Sequence, residues 1–595
     1  MRHWFDNMMR SCAENFPARC EWGAEVVGEK PYGAHPKSPL FKPSQPRSLK
    51  GEVKKIPLFK GGRGISTRTG LHPRFQFVLL MMACAVLFQS PQANARQIPE
   101  FNTIEQQIDS YRMEDAKARL HALSDDARAS AEGLYLRGKY LFYAGQYKQA
   151  DTLLKQAIEG SRTELDWKYL RDQTDISRRN TDTLQTAKPQ KGFTFHYRNG
   201  ADALLIPYAL EALNAQRRAL KKSLGETVHH IRVYIVPNVQ MLSELCGLST
   251  EQIEATGTVA VSKYNRIMIL SPSLIVGGYP WLDTLAHELT HILITKITAN
   301  RAPIWLHEGV AKLLEGQWRG VSQTHLTPVL AYLLDQAVRE KRLIPLRRFH
   351  PSVSYLPNQE DAALAYAQGL SFLRFVTERF RDGNSLKTLL ALSAEKSLDG
   401  AFTISTAYGI NKLYGWWQKN LEGSRNTPIT LVPMMQRRFK TIPGNEKSDI
   451  DPILDREVRR HIRVGDLLRI RGHVAAARQE YEWALQKNET PTPDIVDRLV
   501  STLLAEDRAE EALALLAPME SLYPNHFTVF LQAGEAHTKL GQVAQAKKAL
   551  RAALALNPFH AEVHCMLSAI YEGSGEENKS AIEKEACLKL SSAAE

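Results

Sequence analysis

His287 and His291 stand four residues apart, with Glu288 beside the first, in Leu282-Asp283-Thr284-Leu285-Ala286-His287-Glu288-Leu289-Thr290-His291-Ile292-Leu293-Ile294. Apolar residues fill most other positions, so the segment reads as a helix buried on several sides. Residues four apart on a helix share a face, about 6 Å apart along the axis. Two imidazoles so placed can grip one divalent ion, and the adjacent glutamate can act as base on a water held there. Neutral imidazole suits zinc, and a three-ligand site leaves a position open for that water. The competing reading is a pair of core or surface histidines that merely share a face. Pro303-Ile304-Trp305-Leu306-His307-Glu308-Gly309-Val310-Ala311 argues against it. Glu308 lies 17 residues after His291 and opens a second predicted helix, from which its carboxylate can complete a His₂Glu set. His307 is the rival third ligand, because adjacent helical positions point about 100° apart and only one of the two can serve.

Several elements must position these side chains. Phe193-Thr194-Phe195-His196-Tyr197 alternates as a strand does, and Ala203 to Leu224 has helical spacing ending at Gly225, a C-cap residue. Ile231 to Val236 reads as a second strand, stopped by Pro237. Thr258 to Ser262 and Arg266 to Leu270, joined across Lys263-Tyr264-Asn265, predict a hairpin. From Trp281 onward the pattern is almost wholly helical, so the central domain is α+β.

The two motifs together resemble the gluzincin metallopeptidases, the thermolysin and aminopeptidase-N-like branch, and especially their peptidase MA-like members. There, H-E-x-x-H lies on one helix and the third ligand in a W-L-x-E-G-x-A segment on the next. The resemblance runs from about Phe193 to Leu421. It implies a zincin-like fold and zinc-dependent hydrolysis of peptide bonds, with His287, His291 and Glu308 as zinc ligands and Glu288 as general base. It also implies a donor to the tetrahedral oxyanion, for which Tyr366 in Ala362-Ala363-Leu364-Ala365-Tyr366-Ala367 is the candidate. A tyrosine on an apolar helix is as readily a core residue. Thr256-Gly257-Thr258-Val259-Ala260 resembles the edge strand that aligns substrate backbone in these enzymes. The branch's G-A-M-E-N segment, which holds a free amine, is absent, and this favours an endopeptidase. Asp283, one turn before His287, reads as an exposed acid near a helix start, with orientation of an imidazole as the alternative.

Repeats flank this domain. Ala512, Leu516 and Pro524 recur 34 residues later as Ala546, Leu550 and Pro558. Small residues fall where two helices approach, and proline falls after the second. The pattern resembles the tetratricopeptide repeat over roughly 454–592, ending in a degenerate unit from about Ala561 to Leu590. A similar unit runs through Gly138, Gly145, Tyr147, Ala150, Leu154 and Ala157. Such hairpins bury their faces only by stacking, and they commonly present a surface to a peptide or protein partner. The expected organisation is a basic extension over 1–73, a signal peptide over 74–95 and helical repeats over 96–165. A linker over 166–190, the peptidase domain over 191–430, a linker over 431–453 and repeats over 454–595 follow.

The signal reading rests on Arg68 and Arg74, the apolar run Phe75 to Phe88, the break at Ser90-Pro91 and the small residues of Ala93-Asn94-Ala95. Export signals begin a chain, so the preceding 73 residues read as a disordered arm or, preferably, as the product of a start placed too far upstream. The expected location is periplasmic or secreted, with no stable membrane span once residue 95 is cut. Of the 595 residues, 24% are charged and 44% hydrophobic, which excludes collagen-like and wholly disordered chains. The net charge of +12 is concentrated in residues 1–74, with 14 Lys/Arg against 6 Asp/Glu. A nucleic-acid partner therefore has little support from the rest of the chain. Cys246, Cys565 and Cys587 follow the cut, too few for a disulfide framework. Cys565 and Cys587 can pair only if the fold joins them, and isolated buried thiols are the expectation. The alternative to a peptidase is a catalytically silent zincin-fold scaffold acting as an adaptor through its repeats.

Overall fold

The computed structural model describes residues 99–592 except 161–164, 199, 322–325, 350–351, 381–384, 424–433, 435, 441–454 and 489–491. The basic extension and the signal peptide lie outside the described residues.

Six helices come first: α1 (Pro99–Asp109), α2 (Met113–Ala122), α3 (Asp125–Ala129), α4 (Ala131–Tyr143), α5 (Tyr147–Gly160) and α6 (Leu165–Asp182). In the α4–α5 hairpin a Cβ on Gly138 would sit 2.8 Å from Leu154 Cγ, so glycine is what lets the two helices close. Residues 166–190 are not a linker. α6 packs on α5, with Thr174 and Ser177 fully buried and satisfied by small polar contacts that leave little apolar periodicity. The short strand β1 (Gln185–Thr186) follows it.

β2 (Phe193–Tyr197), β3 (Ile231–Val236), β4 (Ala260–Lys263) and β5 (Arg266–Leu270) complete a five-stranded sheet in the order β1-β2-β3-β5-β4. β2, β3 and β5 run parallel; β1 and β4 are antiparallel to their neighbours. Tyr264 and Asn265, both at positive φ, make the two-residue β4–β5 turn. β4 thus forms one edge of the sheet. The helices α7 (Leu205–Leu224), α8 (Val239–Cys246) and α9 (Thr250–Thr256) connect the strands, and Gly225 caps α7 in the left-handed region.

Beyond the sheet lie α10 (Trp281–Ile297), α11 (Ile304–Leu314), α12 (Pro328–Arg339), α13 (Gln359–Arg379), α14 (Ser385–Leu392), α15 (Leu398–Thr406) and α16 (Ile410–Gly423). The largest apolar core joins β2, β3 and β5 to α7, α10, α11 and α13. α10 lies against β4 and β5. The N-terminal hairpins are joined to the sheet through Arg266, whose guanidinium donates to Tyr147 Oη at 2.7 Å, Ser177 Oγ at 3.1 Å and Leu245 O at 3.0 Å.

Four hairpins close the chain: α17 (Arg456–Ile470) with α18 (Val474–Lys487), α19 (Pro493–Ala505) with α20 (Ala509–Leu522), α21 (Phe527–Lys539) with α22 (Val543–Leu554), and α23 (Ala561–Gly573) with α24 (Glu577–Ser591). A Cβ on Gly534 would lie 2.6 Å from Leu550 Cδ2, the same close approach that Gly138 allows. Cys565 and Cys587 form a disulfide across the last hairpin. This corrects the expectation of free thiols: α23 and α24 pair antiparallel, so residues 22 apart face each other. No helix among the described residues is long and apolar enough to cross a membrane.

Candidate metal centre

α10 presents His287 and His291 on one face, as the i, i+4 spacing requires, with their Nε2 atoms 3.0 Å apart. α11 supplies Glu308 from its first turns. Its Oε2 lies 3.2 Å from His287 Nε2 and 3.4 Å from His291 Nε2. Three donor atoms from two helices therefore form a nearly equilateral triangle. Bonds of about 2.0–2.1 Å at tetrahedral angles hold neighbouring ligand atoms roughly 3.3 Å apart, so the triangle has the size of three corners around a four-coordinate ion. His287, Glu288 and His291 also form a group, with atoms within 4.8 Å of one another, that could hold a metal ion. The triangle through Glu308 is the tighter of the two.

Glycine sets the spacing of the helices. A Cβ on Gly309 would meet Gly369 O at 2.8 Å, and one on Gly369 would meet Trp305 O at 3.3 Å. α11 and α13 thus touch backbone to backbone, one residue from Glu308 and three from Tyr366. Tyr366 is half-buried, with its ring 6.1 Å from that of His287 and edge-on to it. Burial, reinforced by the charges of Glu308 and Glu288, pushes its hydroxyl well above the usual phenol range, so it stays a donor.

Glu315, at the end of α11, was not legible as a site residue. Its Oε2 accepts from His287 Nδ1 at 2.9 Å, and Lys312 Nζ donates to its other oxygen at 3.0 Å. Glu315 and Glu308 both only accept, so His287 can donate from Nδ1 to Glu315 and from Nε2 to Glu308; an ion bound at Nε2 would take the place of that second proton. The one signal was spacing: Glu315 follows Glu308 by seven residues, two helical turns along the same face. Burial opposes a charge on His287. Hydrogen bonds and charge from Glu308 and Glu315 outweigh that and lift it to about 9. Two buried carboxylates thus demand positive charge at this point.

Asp283 does not orient an imidazole. It accepts from Trp318 Nε1 at 2.7 Å and from Arg319 Nη2 at 2.7 Å, and so ties the segment after α11 to the start of α10. His307 is buried beside His291, ring centres 5.6 Å apart, on a different side of α11 from Glu308. Burial next to His291 pushes it down to about 3.

Residues 213–423 match the family model of the Peptidase MA superfamily and residues 503–570 that of a tetratricopeptide repeat. No curated protein sequence matches the chain. Among solved structures, it is similar to TTC0263, a thermophilic TPR protein of Thermus thermophilus, at 24% identity over 22% of this chain and 74% of that one, with a TM-score of 0.21. It is similar to native yeast LTA4 hydrolase at 11% identity over 68% of this chain and 66% of that one, with a TM-score of 0.26. The chain thus carries a Peptidase MA superfamily domain joined to tetratricopeptide repeats.

Proposed function

We propose that the protein is an exported zinc-dependent peptidase, with His287, His291 and Glu308 holding the ion. The observation that carries this reading is the 3.0–3.4 Å triangle of two imidazole nitrogens and one carboxylate oxygen beside a second buried glutamate, Glu288. Zinc, when bound, supplies Lewis acidity, acidifying water and polarising the scissile carbonyl. The chain does the rest. Glu288 takes the proton of the attacking water and delivers it to the leaving amine. Tyr366 donates its hydroxyl proton in a hydrogen bond to the developing oxyanion. The outer edge of β4 offers backbone groups that align an extended peptide, which suits cleavage within a chain. Export is supported by the signal-like residues 74–95 and by the Cys565–Cys587 disulfide, a bond that persists in oxidising compartments. The repeats are read as a surface for the substrate or a partner protein.

Metal analysis of the purified full chain should find about one zinc per molecule. Glu308→Ala should lose the metal. Glu288→Gln should keep it while cleavage of an unfolded protein falls by about 10²–10⁴-fold. Undiminished cleavage by Glu288→Gln would overturn the proposed chemistry. A full chain that binds partners but cuts nothing would favour the adaptor reading.

A further inference from the structure

Residues Gln436–Lys440, read from sequence as part of a linker, are built into the peptidase domain. Phe439 bridges to Ile275, Val276 N–H donates to Arg438 O at 2.9 Å and Lys440 N–H to Leu274 O at 2.8 Å. Gln359, at the start of the helix that carries Tyr366, clamps Arg437 like a short strand. Its Oε1 accepts from Arg437 N–H at 2.8 Å and its Nε2 donates to Arg437 O at 3.0 Å. These bonds hold the backbone without using the guanidinium.

The guanidinium turns elsewhere. Its Nη1 donates to Gly257 O at 2.9 Å, three residues before β4 begins. Arg437 is exposed to solvent. Its backbone is held by Gln359, two helical turns before Tyr366, so it stands at the end of α13 that carries Tyr366. Among the described residues, no Asp or Glu forms an ion pair with it.

We infer that Arg437 is a specificity-determining residue that receives a carboxylate of the bound peptide. This rests on the peptidase reading above. A guanidinium fork matches a carboxylate in shape and charge, and Arg437, with Nη1 on Gly257 O, carries further N–H donors that a carboxylate can take. A peptide paired along β4 and continued about three residues, roughly 10 Å, past Ala260 comes level with Gly257 and hence with Arg437. The carboxylate can come from an Asp or Glu side chain or from a free C-terminus.

Three peptides of equal length separate the sources: one with an internal Glu and an amidated end, one neutral with a free end, and one neutral and amidated. Binding is measured by fluorescence anisotropy on the zinc-loaded full chain carrying Glu288→Gln. At least one carboxylate peptide should bind about tenfold tighter than the neutral amidated one. Adding Arg437→Gln should abolish that preference, and Arg437→Lys should restore part of it. Equal binding of all three peptides, no binding at all, or equal weakening of all three by Arg437→Gln would overturn the inference. The last result would reduce Arg437 to a clamp on Gly257. An Arg437-dependent preference in a protein that cuts none of these peptides when Glu288 is present would sink the peptidase reading and leave the inference standing. Cleavage indifferent to peptide charge would do the reverse.

Discussion

Glu315 decides how His287 presents itself. Its carboxylate fixes the Nδ1 proton and turns Nε2 to the triangle, and Lys312 holds it in place. Glu315→Gln keeps the shape but not the charge, so zinc affinity should drop about 10- to 100-fold, measured by competition with a chelator. If affinity is unchanged, orientation of His287 comes from packing alone. The residues proposed as ligands were legible because fixed spacing on a helix converts directly into shared direction. Glu315 was not, because two carboxylates two turns apart on an apolar helix look like any i, i+7 pair until the facing histidine is known. Asp283 shows that spacing alone does not suffice: it is well spaced to reach His287, yet Trp318 and Arg319 claim both of its oxygens.

At the scale of elements, the α11–α13 contact fixes where Glu308 stands. Gly309→Ala drives a methyl into Gly369 O, a backbone atom that cannot swing aside. The expected cost is about 1–3 kcal/mol of stability, read from denaturant unfolding. A loss of zinc affinity should accompany it, because Glu308 moves with the backbone. Unaltered affinity would mean that α11 slides without disturbing the triangle. The repeats offer a titration. Glu535 on α21 is desolvated and faces the charges of Glu562 and Asp497, which together raise its carboxyl to about 7. The folded state therefore holds this proton more tightly than the unfolded state, and stability falls as pH rises from about 4.5 to about 7. Glu535→Gln should melt several degrees above the parent at pH 8 and close to it at pH 4, by thermal denaturation. The repeats were readable because glycine and alanine recur at helix contacts. α6 was not, because it buries Thr174 and Ser177 where apolar residues would have announced a helix face. The disulfide was hidden for a similar reason, since pairing two cysteines requires knowing which helices lie side by side.

In the whole molecule, the repeats do not hang from the peptidase domain. Ala555 and Phe559 join its apolar core, while Val329 of α12 packs among repeat residues. The tightest junction is at the entry to α10. Tyr279 N–H donates to Leu556 O at 3.0 Å, and a Cβ on Gly278 would lie 2.1 Å from that same oxygen. Gly278 also has φ of +74°, which disfavours any other residue. The corner after α22 therefore packs directly on the chain entering the helix that carries His287. Gly278→Ala should break this seam by adding both a clash and backbone strain. Hydrogen exchange should then quicken together at residues 276–283 and 554–560, while the β-sheet stays protected. Faster exchange confined to the glycine's own loop would mean that the repeats merely rest against the domain. Concerted loosening would make the repeat array part of what holds the site in register, so that a partner bound on the repeats acts on the metal centre through a few residues of shared backbone.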